Sequence, residues 1–263
     1  MNDYHTPVLL DTAIKFLNVR SGNKYIDATL GGGGHASLIK SKGGLVLGID
    51  QDQDAINNSK NLVDLCVKSN FIHLEEVAKN NNWYPVSGVL LDLGVSVHQI
   101  EDSSRGFSYQ VDGNLDMRMG NSAVTAAELV NQLSVDQLTK IFKDFGEEPK
   151  AKFYAQRIVN SRPILTTLEL SNLIGDFSST QRIFQALRIA VNDELGSLMQ
   201  VIPQIKNILD SGGRVVIISF HSLEDRIVKQ EFNHWAFNHL GNVLTKKPIE
   251  GERGSKLRAF EKI

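Results

Sequence analysis

The sequence holds one cysteine, Cys66, among 263 residues, and only six prolines. A single thiol closes no internal disulfide and builds no cysteine zinc cluster, so a reducing compartment is expected. No apolar run exceeds strand length, Val215 to Ile218 being typical, and the opening residues show no cationic segment followed by an apolar stretch. Neither a membrane span nor a secretion signal is expected, which makes the cytoplasm the expected location. Charge of one sign is missing too: 28 Lys and Arg against 30 Asp and Glu leave a formal net charge of -2. Any nucleic-acid contact would therefore rest on local patches. Internal repeats and low-complexity stretches are absent, and no ligand cluster at metal spacing appears, so no metal site is assigned and a divalent metal stays open.

What is present is the composition of a globular protein, 41% hydrophobic and 22% charged, long enough for one large α/β domain or for a domain carrying an insertion. Short apolar runs ended by acids or glycines read as buried parallel strands: Lys24 to Ala28, Leu45 to Asp50, Val86 to Leu93 and Arg214 to Phe220. Asn70 to Leu74 is the candidate third strand, and Cys66 falls in a stretch read as helical. Leu257 to Ile263 reads as an edge strand. Helical spacing marks Val8 to Leu17 and, in a gap far longer than an ordinary βα loop, Thr125 to Leu133, Asp136 to Phe145, Ala151 to Asn160 and Thr167 to Ile174. Gln181 to Leu209 reads as one or two long helices around Pro203, and Asp210 to Gly213 as a stop. Ser222 and Asp225 match a capping box. The expected architecture is α/β: a Rossmann-like core from 1–104 and 195–263, with a helical inserted domain at 105–194.

The chemistry gathers at strand ends. A strand ending in Asp27 leads into Gly31-Gly32-Gly33-Gly34-His35 and then a helix, the geometry in which backbone N–H groups approach a nucleotide-like ligand. Asp50 closes the next strand, where a carboxylate can accept both ribose hydroxyls of an adenosine. The loop lacks a clean dinucleotide fingerprint, and Asp27 would repel a pyrophosphate while it could face a methionine ammonium. Spacing thus leans toward S-adenosylmethionine over NAD. Asp92 ends a later strand at the same ligand edge, and His221 and Asp225 follow the last buried parallel strand.

Several ordered segments then carry a resemblance: His5 to Leu10, Asp27 to His35, Leu90 to Ser96, Arg105 to Ser108, Leu115 to Met119, Phe184 to Ile189 and Ser219 to Lys229. Over nearly its whole length the chain resembles the ribosomal RNA small subunit methyltransferase H family of bacterial 16S rRNA cytosine-N4 methyltransferases. The resemblance implies a methyltransferase core with a helical insert, S-adenosyl-L-methionine as cofactor, and the small ribosomal subunit with its 16S rRNA as partner and substrate, at one cytidine of the decoding centre. It implies cofactor contacts at Gly33, Gly34, His35, Asp50, Asp92 and Gln99, and a further contact, usually aromatic, near Glu76. The chain departs from the family at Val97-His98 beside Gln99 and in a shortened Glu250 to Arg258.

Methylation at an exocyclic nitrogen needs alignment and a dry pocket rather than a nucleophilic thiol. Asp92 is the candidate for orienting the amine of a base splayed from its stack, with His221 and Asp225 as candidates for positioning substrate or dispersing a proton. For RNA, Arg226 to Ile263 carries eight Lys and Arg against Glu231, Glu250, Glu252 and Glu261, and Arg118 and Arg188 are further candidates. An RNA-binding assembly factor with reduced or lost activity and an NAD-dependent oxidoreductase remain open, as does a homodimer.

Overall fold

The computed structural model describes residues 7–120 and 122–263; His5 and Thr6 of the first motif lie outside the described residues. The strands are β1 (Lys24–Asp27), β2 (Leu45–Asp50), β3 (Leu65–Lys68), β4 (Val86–Asp92), β5 (Leu209–Ser219), β6 (Gly241–Val243), β7 (Ile249–Glu250) and β8 (Lys256–Lys262). The helices are α1 (Leu10–Leu17), α2 (Gly34–Ser41), α3 (Gln53–Ser59), α4 (Leu74–Asn80), α5 (Val97–Glu101), α6 (Ala126–Gln132), α7 (Val135–Asp144), α8 (Ala151–Asn160), α9 (Thr167–Ile174), α10 (Phe177–Asn192), α11 (Glu194–Ile208) and α12 (Ser222–Phe237). They form two compact units, one ending at Gly94 and resuming at Leu195, the other Val95–Glu194. No helix among the described residues is long and apolar enough to cross a membrane.

The first unit is a Rossmann-like α/β layer structure on one sheet, ordered β3-β2-β1-β4-β5-β8-β6, with β7 paired to β8. β3, β2, β1, β4 and β5 run parallel, and β8 is antiparallel to β5. Parallel strands bury both faces, so successive residues feed opposite cores. Val89 and Leu91 join Ile26, Leu47, Ile49, Val215 and Ile217 beneath α4, α11 and α12. Leu90 joins Tyr25, Val46, Val216 and Ile218 beneath α1 and α2. The carboxyl ends of β2, β1 and β4 bring Asp50, Asp27 and Asp92 to one edge of the sheet.

Four expectations about elements are corrected. The third strand is Leu65–Lys68, not Asn70 to Leu74, because the Asn70 side chain accepts from the Ile72 N–H and opens a 3-10 turn instead. Cys66 therefore lies in that strand, opposite Gly48, and not in a helix. Asp210 to Gly213 belongs to β5, whose pairing with β4 shifts register between Val86 and Gly88. The last strand, β8, is interior, since β6 pairs along its far side.

The second unit is helical and starts at Val95, earlier than the expected 105, because Val95 packs into its apolar cluster and the Met117 N–H donates to the Arg105 carbonyl. Its helix starts follow the sequence chemistry. Thr125 with Glu128, Ser134 with Gln137, and Thr166 with Glu169 each satisfy two end donors reciprocally. Phe142, Tyr154, Ile183, Phe184 and Leu187 fill its centre. The long Gln181 to Leu209 stretch divides at Asp193, in the left-handed region at φ 47°, and Pro203 is carried inside α11.

Candidate functional site

β1 delivers Asp27 to the sheet edge with 1% of its surface exposed. The chain then turns through Thr29 to Gly33, and the turn is braced from β2. The Gly31 N–H donates to Asp50 Oδ2 and the Asp52 N–H to Asp50 Oδ1, both at 2.8 Å. The Gly33 N–H closes on the Leu30 carbonyl at 2.7 Å, and the Ser59 hydroxyl donates to the Gly31 carbonyl at 2.7 Å. Gly33 is the residue before α2 at φ 74°, and a Cβ there would stand 2.8 Å from Leu62 Cδ1. That position takes glycine for both reasons. At Gly34 a Cβ would collide with the Pro7 ring. Gly31 differs: a Cβ on it would meet nothing closer than 3.9 Å, so its face of the loop is open.

His35 occupies the first turn of α2 and is 4% exposed. Burial holds its imidazole at a pKa of about 4, against the opposing pull of the Val8 carbonyl, so the ring is neutral near pH 7. Its Nδ1 stands 3.8 Å from Asp92 Oδ2, and its buried Nε2 has no hydrogen-bond partner among the described residues.

Asp92 keeps 22% of its side chain open, yet its Oδ1 is buried and has no partner among the described residues. Burial, then the charges of Asp27 and Glu224, push its carboxyl well above the usual range. Burial pushes Asp27 up to about 7, with the Thr29 N–H opposing and Asp50 adding. Asp50 is raised as well, again chiefly by burial. Three carboxyls thus crowd one edge, and among the described residues no Lys or Arg pairs with any of them.

β5 leads to His221, which precedes α12 as its N-cap. The capping box is His221 with Glu224, one residue earlier than the expected Ser222 and Asp225. The Glu224 N–H points to His221 Nδ1 at 3.5 Å, closing the cap from the helix side. His221 Nε2 is 3.3 Å from Glu224 Oε1 but outside hydrogen-bond alignment. Asp225 is turned elsewhere. Its two oxygens accept from Arg258 Nε at 2.6 Å and Nη2 at 3.0 Å. Both oxygens are committed to a nearly buried guanidinium that holds α12 to β8, so the expected handling of substrate or a proton by Asp225 would have to act around that pair.

Gln99 belongs to the second unit, where it completes a capping box with Ser96 at the start of α5 and is 8% exposed. Val97 and His98 form the first turn of that helix. Arg118 is held by Asp116 at 2.8 Å and Arg188 by Glu194 at 2.8 Å, so neither candidate RNA contact presents an unpaired guanidinium.

The aromatic expected near Glu76 is not there, since the Glu76 side chain stays 69% exposed on α4 beside His73. Phe71 lies in the 3-10 turn that follows β3 and packs against the core beneath α4 and α11. The segment before it is tied to the end of β2: the Ser69 N–H donates to the Asp50 carbonyl at 2.9 Å, and Asn70 Nδ2 to Gln51 Oε1 at 3.0 Å.

The model of the MraW methylase family matches residues 2–258. Ribosomal RNA small subunit methyltransferase H of Mycoplasma mycoides subsp. mycoides is 40% identical, over 97% of this chain and 90% of that one. The protein of the same name from Carboxydothermus hydrogenoformans is 44% identical, over 98% of each. Among solved structures, an rRNA methylase from Streptococcus thermophilus aligns at a TM-score of 0.46 and 12% identity, over 96% of this chain and 93% of that one. By the extent of the model match and the identity to these relatives, the chain belongs to the MraW methylase family.

Proposed function

We propose that this chain is an S-adenosylmethionine-dependent methyltransferase that modifies the exocyclic N4 of one cytidine in small-subunit ribosomal RNA, at the decoding centre. Its relatives carry the name ribosomal RNA small subunit methyltransferase H. The observation that carries the reading is the sheet edge itself: among the described residues Asp27, Asp50 and Asp92 end adjacent strands with no Lys or Arg paired to them, Asp92 Oδ1 has no partner, and the Gly31 face of the loop is open. Such a pocket fits an adenosine-bearing cation and disfavours the pyrophosphate of a dinucleotide.

When bound, S-adenosylmethionine supplies an activated methyl group. The chain's own residues would do the rest. Asp50, fixed by two backbone N–H donors, keeps further lone pairs for ribose hydroxyls. Asp27 faces the ammonium. Gly33, Gly34 and His35 carry the backbone past the ligand, and Gln99 is a further contact. Asp92 orients the amine with neighbouring carbonyls, and His221 positions the base. Cys66 sits in β3 with its thiol pushed up by burial and by Asp50, the reverse of what a nucleophile needs. The helical residues 95–194 serve as the inserted domain and the Arg226 to Ile263 segment as the RNA-facing patch, in a cytoplasmic enzyme.

The test is methyl transfer from labelled S-adenosylmethionine to isolated, unmodified small subunits, with the modified base mapped by mass spectrometry. N4-methylcytidine at a single position is expected. Cofactor binding without transfer to any nucleotide would replace this reading with that of an assembly factor.

A further inference from the structure

The acids at the sheet edge are more numerous than alignment of a ligand requires, and they carry a cost. Asp50, Asp27 and Asp92 end the adjacent strands β2, β1 and β4, with Asp52 beyond Asp50; His35 Nδ1 stands 3.8 Å from Asp92 Oδ2, and Glu224, beside His221 at the start of α12, is near enough for its charge to act on Asp92. From β3, Lys68 is in register with Asp50 but is exposed and forms no ion pair with it, and Cys66 feels the Asp50 charge. His35 supplies no positive charge, because burial keeps it neutral. With no Lys or Arg paired to Asp27, Asp50 or Asp92 among the described residues, carboxyls taken largely out of water on adjacent strand ends cannot all ionise, so some of the three hold protons until a cation arrives.

We propose that the pocket selects its ligand by charge, taking up a cation in exchange for a carboxyl proton, so that a sulfonium ligand is held more tightly than the neutral thioether left after methyl transfer. The inference rests on the reading that the ligand is S-adenosylmethionine. The balance is simple. On binding, one carboxyl releases a proton to solvent and its anion faces the incoming positive charge. After transfer the sulfur is neutral and the methylated amine sheds a proton, which the same carboxyl can take back. The pocket returns to its protonated form with a ligand it no longer favours. Asp92 is the group best placed for this exchange, since its Oδ1 is buried without a partner among the described residues whereas both Asp50 oxygens and Asp27 Oδ1 accept backbone N–H groups.

Isothermal titration of the full chain with S-adenosylmethionine, S-adenosylhomocysteine and sinefungin, in buffers of differing ionisation enthalpy from about pH 6 to about pH 8.5, counts the protons released. Both charged ligands are expected to release more protons than the thioether does. Their affinity should rise by up to about tenfold per pH unit at the acidic end and level off at the alkaline end. In Asp92→Asn, with folding checked by circular dichroism, the preference for the sulfonium over the thioether should collapse severalfold. Equal proton release for all three ligands, or none in the wild-type chain, overturns the inference while leaving the cofactor reading intact. Failure of all three to bind at every pH overturns both.

Discussion

The backbone N–H of Asp92 donates to the Thr29 hydroxyl at 2.6 Å, tying the carboxyl end of β4 to the turn that leaves β1. The Thr29 N–H in turn donates to Asp27 Oδ1 at 3.2 Å. One side chain and its own backbone therefore set the spacing of two of the three crowded acids.

Thr29→Val is expected to leave the Asp92 N–H without a protein acceptor at nearly unchanged volume. The cost should be about 1–3 kcal/mol in urea unfolding, with weaker S-adenosylmethionine binding, while Thr29→Ser retains the acceptor and most of both properties. Equal behaviour of the two variants would show that the hydroxyl does not hold the strands in place.

Gly33→Ala combines two penalties that can be separated. The left-handed φ of 74° costs roughly 1–2 kcal/mol for any residue with a Cβ, and contact with Leu62 Cδ1 at 2.8 Å adds a steric cost. Leu62→Ala in the same chain should relieve only the second. The double variant is expected to lie above Gly33→Ala in chemical stability, measured against Leu62→Ala alone, yet below that reference by the dihedral cost.

Where the sequence was legible, one physical signal was strong. β1, β2 and β4 are buried on both faces, so each reads as an unbroken apolar run, and each ends in an Asp that marks the ligand edge. β3 was not legible because Leu65, Cys66 and Val67 are only partly covered at the sheet margin, leaving a short run between Asp64 and Lys68. The pairing of Asp225 with Arg258 joins residues 33 apart through adjacent elements, and no local pattern announces it. His221 was found by its position after β5, but its role as a helix cap depends on ring orientation, which spacing does not reveal.

That long-range pair makes a distinct prediction about a residue the motif alone would place in catalysis. The Asp225 and Arg258 side chains are 14% and 7% exposed. Removing one partner strands a charge in a poorly solvated place, at a cost of about 3–5 kcal/mol. Asp225→Ala should therefore lower thermal stability sharply, and Asp225→Ala with Arg258→Met should recover much of it. Full stability of Asp225→Ala with lost turnover would instead return Asp225 to the reaction.

The buried acids and His35 should pull the stability of the ligand-free protein in opposite directions with pH. Asp27 rises from 3.8 to about 7 on folding. Between those values the unfolded chain has released a proton that the folded chain keeps, so stability falls as pH rises through the window. Asp50 and Asp92, both raised, act in the same sense. His35 falls from 6.5 to about 4, and between those values the unfolded chain binds a proton that the folded chain refuses. Its contribution is lost as pH falls. Each group alone imposes a limiting slope of about 1.4 kcal/mol per pH unit, so in the wild-type protein they partly cancel. Urea unfolding at steps between about pH 4 and pH 7 should show Asp27→Asn gaining stability relative to wild type as pH rises. His35→Gln should gain relative to wild type as pH falls. Parallel profiles for Asp27→Asn and wild type would mean that Asp27 ionises in the folded chain as it does in water, and the crowding at the sheet edge would then have no energetic consequence.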